Sequence, residues 1–310
     1  FAGVFLLCYI STYRVSNLFI MDRNLALEFV RVTEAAAIAA SSWIGKGERK
    51  AADQAAVDEM RSRFNFVDFS GTVVIGEGQK DEAPELYVGE TLGTGNGLEI
   101  DIAVDPLECT DSVATGSPNA ISVISTGPKG SLFHAPDMYM EKIACGPQAK
   151  GVIDLDLTPT ENIIRVAKKL EKDVTQMVVI MLDRPRHADL VEEIRTVGAR
   201  IRFISDGDVA GAIAPSLPDS GVDMLINIGA SAEADLAATA IKCLGGDFQA
   251  RLWPKNVDQK NMLEDMGLDI NKKLTLEDLA SGKDLTFTAT GVVDGPLLKG
   301  VRYTADYCIT

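Results

Sequence analysis

From residue 158 to residue 246 the hydrophobic pattern alternates between helix-like periods and short continuous apolar runs. No other feature constrains the fold as much. Thr158-Pro159-Thr160-Glu161 has the form of a capping box with proline at the first helical position, so a helix is expected from there to about residue 170. The spacing then predicts a strand over 177–181, a helix over 188–197, a strand over 200–204 and a helix from about 208. A strand over 224–228 and a helix over 232–244, stopped by Gly245-Gly246, complete the series. Strands alternating with helices predict an α/β protein whose second half holds a largely parallel sheet covered on both faces.

The first half is less regular. Residues 24–43 carry Leu25, Leu27, Phe29, Val32 and Ile38 among alanines, which predicts a long, largely buried helix stopped by Gly45 and Gly47. A second helix is expected over 51–63, with Asp53 near its start. Residues 72–75 form a β-branched run ending at Gly76, and 98–104 alternate apolar with polar as a strand does. Further strands are expected over 120–125 and 138–144. Residues 1–10 are almost wholly apolar but too few to span a bilayer, and Arg14 is the only charge before Met21. Residues 1–20 are therefore read as an extra segment, an artefact upstream of Met21 or a targeting remnant, and set outside the fold.

The chain has 310 residues with 46% apolar and 24% charged, ordinary for a globular protein of one large or two smaller domains. A net charge of −15 argues against a nucleic-acid or anionic-membrane partner. Cys8, Cys109, Cys145, Cys243 and Cys308 show no CxxC spacing and suggest a reducing compartment, cytoplasmic, or plastid for an algal source. With only His134 and His187, neither a His-rich zinc site nor a Ser-His-Asp triad is expected.

The polar residues gather at predicted strand ends. Glu77 follows one strand within Gly76-Glu77-Gly78, and Asp105 and Glu108 follow another within Asp105-Pro106-Leu107-Glu108-Cys109-Thr110. Arg184 and Arg186, then Asp206 and Asp208, then Glu233 follow three more. Ligands of open α/β sheets bind at the carboxyl ends of strands, so a shared site is expected. Carboxylates so placed suit a hard divalent cation and phosphate chemistry, although Asp105 and Glu108 could instead cap a helix starting near Thr110. Arg184-Pro185-Arg186 reads as a rigid phosphate clamp or a solvated basic turn. Asp206-Gly207-Asp208 reads as a turn with a helix cap, or as a holder of sugar hydroxyls or a cation. Gly93-Thr94-Gly95-Asn96-Gly97 precedes a strand and is a turn, and residues 45–50 lack the spacing of a P-loop.

These motifs resemble the lithium-sensitive sugar and inositol phosphatase superfamily, and most closely the class II fructose-1,6-bisphosphatases of bacterial and cyanobacterial type. The matching stretches include Ile75-Gly76-Glu77-Gly78, Asp81-Glu82-Ala83-Pro84, Asp105-Pro106-Leu107-Glu108, Ala135-Pro136-Asp137-Met138-Tyr139-Met140-Glu141-Lys142 and Arg184-Pro185-Arg186-His187. Asp206-Gly207-Asp208-Val209 and Thr288-Ala289-Thr290-Gly291 extend the likeness from Met21 almost to the end.

The resemblance implies a layered αβαβα sandwich, with a metal-binding half over 21–150 and a substrate-binding half over 151–310. It implies two cations, Mn²⁺ or Mg²⁺, one held by Asp53 and Glu77 and the other by Asp105, Glu108 and Glu233. Asp81 and Thr110 would orient and activate the attacking water. Substrate contacts would come from Glu108, Cys109, Thr110, Tyr139, Arg184, Pro185, Arg186, Asp206, Gly207, Asp208 and Ala230. The implied reaction is hydrolysis of the 1-phosphate of fructose 1,6-bisphosphate, with sedoheptulose 1,7-bisphosphate as a further substrate, by a homodimer or homotetramer.

Three departures from the family pattern stand out. Cys109 replaces a glycine, which invites a strained φ there and a redox-control hypothesis beside the blander reading of a tolerated small residue. Gly229-Ala230-Ser231-Ala232-Glu233 replaces Gly-Gly-Ala-Pro-Glu. The chain also stops at Thr310, before a terminal segment the family carries. A non-catalytic sugar-phosphate-binding homologue and a phosphatase of another sugar or inositol phosphate are therefore the alternative readings.

Overall fold

The computed structural model describes residues 4–9, 23–78 and 85–310. The chain forms two compact units, Phe1–His134 with Ala280–Thr310, and Ala135–Leu279. The elements begin with β1 (Val4–Tyr9), α1 (Arg23–Ser41), α2 (Arg49–Phe64), β2 (Ser70–Ile75), β3 (Thr91–Leu92), β4 (Glu99–Glu108), α3 (Thr110–Thr115) and β5 (Ile121–Pro128). They continue with β6 (Tyr139–Cys145), α4 (Pro159–Lys169), β7 (Val178–Leu182), α5 (Ala188–Val197), β8 (Arg200–Ile204), α6 (Asp208–Ile213) and β9 (Met224–Ala230). Last come α7 (Ser231–Leu244), β10 (Asp247–Trp253), α8 (Val257–Asp265), β11 (Leu274–Thr275), α9 (Leu276–Leu279), β12 (Leu285–Gly291) and the antiparallel pair β13 (Arg302–Tyr303) and β14 (Cys308–Ile309).

The sheet of the first unit has the order β1-β12-β5-β4-β2-β3, and only β2 and β4 run parallel. β12 returns from the far end of the chain to lie between β5 and β1. The early apolar stretch set outside the fold on sequence grounds thus supplies an edge strand, with Val4 opposite Thr290 and Tyr9 opposite Leu285. A run of six apolar residues is too short for a bilayer but long enough for a strand. α1 and α2 press Phe29 and Phe64 onto Phe69, and the three rings meet edge to face with centroids 5.5–6.3 Å apart. Thr33 of α1 and Thr290 of β12 share a buried hydroxyl hydrogen bond of 2.8 Å.

The sheet of the second unit has the order β11-β10-β6-β9-β7-β8. It corrects the expectation of a largely parallel sheet. β7 runs parallel to β8 and β9, whereas β6 is antiparallel to both β9 and β10, and β10 is antiparallel to β11. The helical crossovers make β7, β8 and β9 parallel. β9 and β10, although also joined by a helix, are separated by β6, which inserts antiparallel between them. Periodicity detects each strand but carries no information on which strand intervenes.

Thr158 caps α4 with the reciprocal Glu161 bonds of a capping box and with proline at the first helical position. Ile163, Val166 and Ala167 of α4 and Ile194 of α5 pack on Met177, Val179 and Met181 at one face of the sheet. α6 and α7 are built from small residues and are buried along almost their whole length. No described helix is long and apolar enough to cross a membrane.

Candidate active site

In the first unit the parallel pair β2 and β4 places Ile75 opposite Ala103. Two residues further along each strand, Glu77 and Asp105 leave the same sheet edge. The turn after β2 needs both its glycines. A Cβ on Gly76 would lie 2.0 Å from the Leu86 carbonyl oxygen, and Gly78 has φ +120°. Asp53 arrives from the second turn of α2. The Thr110 hydroxyl donates to its Oδ1 at 3.4 Å and to the Leu107 carbonyl at 3.1 Å.

The electrostatics show that these acids gather. Burial, then the charges of Asp105 and Asp53, push the Glu77 carboxyl up to about 8. Burial also raises Asp53, against the lowering effects of the Thr110 hydrogen bond and the Arg49 charge. Glu108 is buried at the end of β4, past a register shift that begins at Asp105. The Asp105 carboxylate accepts from the Leu107 N–H at 3.0 Å. The N-cap of α3 is Cys109, without a side-chain cap bond, so the helix-cap alternative for Asp105 and Glu108 is not what the chain builds. Cys109 itself sits at φ 70°, the left-handed conformation in which a glycine is unstrained.

Among the described residues, no three His, Cys, Asp or Glu side chains stand together in ligating geometry. The donor set nevertheless fits a hard divalent cation. It consists of carboxylates within electrostatic reach of Glu77, with no thiolate or imidazole among them, and burial, then the charges of Asp105 and Asp53, make a lone negative charge on Glu77 costly. Asp81 lies outside the described residues.

In the second unit the candidate residues collect at the carboxyl ends of β7, β8 and β9, beside the first residue of β6. Tyr139 opens β6, paired with Ala230 on one side and Trp253 on the other. Its ring stacks with Trp253 at 6.2 Å and carries Arg186 at 4.6 Å and Lys255 at 3.5 Å from its centroid. Arg186 follows β7 through Pro185 and donates Nε at 3.0 Å and Nη2 at 2.6 Å to the Ile228 carbonyl. Arg184 donates to the Asp183 carbonyl at 3.0 Å. His187, 1% exposed, bonds the Leu182 carbonyl through Nδ1 at 2.8 Å and accepts the Ile228 N–H on Nε2 at 3.0 Å. Burial holds its imidazole below the ordinary histidine range.

Asp206 lies in the bend after β8, and Gly207 supplies a φ of 89° before α6. Asp208, 5% exposed, pairs with the buried ammonium of Lys142 and accepts Asn227 Nδ2 at 2.8 Å. A Cβ on Gly229 would fall 1.9 Å from Asp208 Oδ2, so only glycine fits beside this pair. Ala230 has φ −69° and ψ 156°, a conformation open to any residue, so its alanine carries no backbone strain. Glu233 stands in the first turn of α7.

The structure thus brings Asp53, Glu77, Asp105 and Thr110 together in one unit. It brings Tyr139, Arg186 and Ala230 together, with Asp208 and its partners nearby along β9, in the other. Sequence reasoning assigned no role to Lys142, Asn227, Trp253 or Lys255. The lysine beside Glu141 in the otherwise largely apolar β6 was the one available signal.

Carboxylates at one set of strand ends and cations at another suit metal-assisted phosphate chemistry. The family of bacterial fructose-1,6-bisphosphatase, glpX-encoded, matches residues 23–310, and the chain belongs to it. It is 47% identical over 294 residues to the class 2 fructose-1,6-bisphosphatase of Haemophilus influenzae, covering 91% of this chain and 88% of that protein. It is also 42% identical over 308 residues to proteins of two Synechococcus strains, each named D-fructose 1,6-bisphosphatase class 2/sedoheptulose 1,7-bisphosphatase. The alignments cover 91% of this chain and 89% of each cyanobacterial protein.

Proposed function

We propose that this chain hydrolyses the 1-phosphate of fructose 1,6-bisphosphate to fructose 6-phosphate and phosphate. The observation that carries the reading is that Asp53, which accepts from the Thr110 hydroxyl, and Asp105 both lie within electrostatic reach of the Glu77 carboxyl, in a chain of this family. Asp53, Glu77, Asp105 and Glu108 would hold Mn²⁺ or Mg²⁺, and Glu233 is a further carboxylate ligand of this proposal. Such ions, when bound, neutralise phosphate oxygens and lower the pKa of a ligated water.

The remaining steps belong to side chains of this protein. Thr110, held by Asp53 and the Leu107 carbonyl, orients the water, and Asp81 takes its proton. Arg184 and Arg186 with Tyr139 bind the phosphate that is not cleaved, because two guanidiniums offer it forked donors. Asp206 and Asp208 flank this cluster, Asp208 acting from within its buried pair. Sedoheptulose 1,7-bisphosphate, named for the Synechococcus relatives, is the second substrate of this proposal, and a homo-oligomer its working form.

Phosphorus NMR of the reaction tests the reading. Loss of the C1 phosphate signal with retention of the C6 signal is the expected result. Loss of the C6 signal, or turnover of an inositol phosphate alone, would contradict it.

A further inference from the structure

Lys255 lies two residues beyond β10, outside every motif that marks the family in this chain. Its ammonium sits 3.5 Å from the centroid of the Tyr139 ring, which also carries the Arg186 guanidinium at 4.6 Å. Among the described residues neither cation has a carboxylate within 4.0 Å, in a chain with 45 acidic and 30 basic residues. Two like charges held on one aromatic ring repel unless an anion joins them.

The local chain fixes the lysine in place. Pro254 ends β10, and Asn256 caps α8 by accepting the Gln259 N–H at 2.9 Å. Gln259 Oε1 in return accepts the Lys255 N–H at 2.8 Å. The reciprocal pair pins the lysine backbone, while Trp253 and Tyr139, direct partners across β10 and β6, provide the floor. Arg186 spends Nε and Nη2 on the Ile228 carbonyl, which leaves Nη1 to point elsewhere.

We infer that Lys255 is a substrate-binding residue that completes the anion site of Tyr139, Arg184 and Arg186 and selects sugar phosphates carrying a second, uncleaved phosphate. The inference rests on the function proposed above and adds the group that sets bisphosphate specificity. A phosphate dianion accepts from the ammonium and from the free side of the guanidinium at once, and the tyrosine ring keeps both cations aimed in its absence.

The test compares wild type with Lys255→Met, Lys255→Arg and Lys260→Met, the last an exposed lysine of α8 with the same change in charge. Loss of a charge-assisted hydrogen bond of about 1.5–3 kcal/mol corresponds to about 10–150-fold. KM for fructose 1,6-bisphosphate should rise by about that factor in Lys255→Met with kcat within about twofold. Lys255→Arg should recover most of the loss, and Lys260→Met should match wild type. On a sugar carrying only a C1 phosphate the Lys255→Met effect should vanish. An unchanged KM in Lys255→Met, beside an active wild type, overturns the inference.

Calorimetric titration with fructose 6-phosphate, without metal, separates this from failure of the functional reading. If wild type is inactive but binds, tenfold weaker binding by Lys255→Met upholds the anion site and equal binding overturns it. Absence of binding by wild type overturns both.

Discussion

The imidazole of His187 accepts the backbone N–H of Ile228 at 3.0 Å, while the neighbouring Arg186 donates twice to the carbonyl of the same Ile228. One residue of β9 is thus gripped at both its polar groups by the loop that ends β7. Since the Leu182 carbonyl can only accept, Nδ1 carries the proton and Nε2 is the acceptor, so the ring works in its neutral form.

His187→Ala should therefore loosen Arg186 and cost stability, by about 1–3 kcal/mol for each buried group left unpaired. KM for the bisphosphate should rise more than kcat falls. The folded-state pKa of His187 is depressed. Its contribution is then fully present above the unfolded value of about 6.5 and is lost as pH falls through the lower folded value. Denaturant melts of wild type and His187→Ala should converge as the pH drops below 6.5, the ordinary value of a free imidazole.

Glu77 titrates with the opposite sign. Its folded pKa, about 8 against 4.5 in the unfolded chain, is raised. The metal-free protein is therefore most stable below pH 4.5, as far as this group is concerned, and loses that contribution as the pH rises through 8. The loss should be on the order of a few kcal/mol, and Glu77→Gln should abolish it. Thermal melts in chelator across this range check the slope. A divalent cation added near neutral pH should restore wild type and release a proton.

Lys142 and Asp208 form a pair that is 1% and 6% exposed at the side chains. Lys142→Met leaves the buried Asp208 carboxylate with the Asn227 amide but without its cation, and should destabilise by about 3–5 kcal/mol. Replacing both, as Lys142→Met with Asp208→Leu, should recover much of that stability without recovering activity. Urea unfolding of the two variants makes the comparison.

Cys109 faces two opposed terms. Its left-handed φ costs about 1 kcal/mol, and its buried side chain, 6% exposed in the core under α1 and α2, returns a similar amount. Cys109→Gly should hence change stability by less than about 1 kcal/mol. Cys109→Val, β-branched at positive φ, should cost more than about 2 kcal/mol. Chemical denaturation distinguishes the two.

Much of this was legible in the chain because the signals were local. The Thr158–Glu161 box, the glycines at 245 and 246, and the alternating residues before Asp105 each report on a few neighbours, and the elements formed where those signals lay. The order of strands was not local. Nothing in β6 announces that it will part β9 from β10, and β12 joins the first sheet from the far end of the chain.

The site divides in the same way. Glu77 and Asp105 stood out in the sequence because each follows an apolar run, and the structure sets them two residues past the paired Ile75 and Ala103 of parallel neighbours. Asp208 invited reading as a helix cap or a sugar contact, because a sequence does not distinguish a buried charge from a solvated one. Its partner Lys142 lies far off in the chain on another strand. Lys255 was missed for a related reason, since a lone lysine beyond a strand is ordinary until Tyr139 is found beneath it.

Release of inorganic phosphate from fructose 1,6-bisphosphate, measured with Mn²⁺, with Mg²⁺ and with chelator, tests the central claim most directly. Release is expected to require the cation and to fall by at least about 100-fold in Glu77→Gln. Release that persists in chelator, or that Glu77→Gln leaves unchanged at saturating metal, would contradict it.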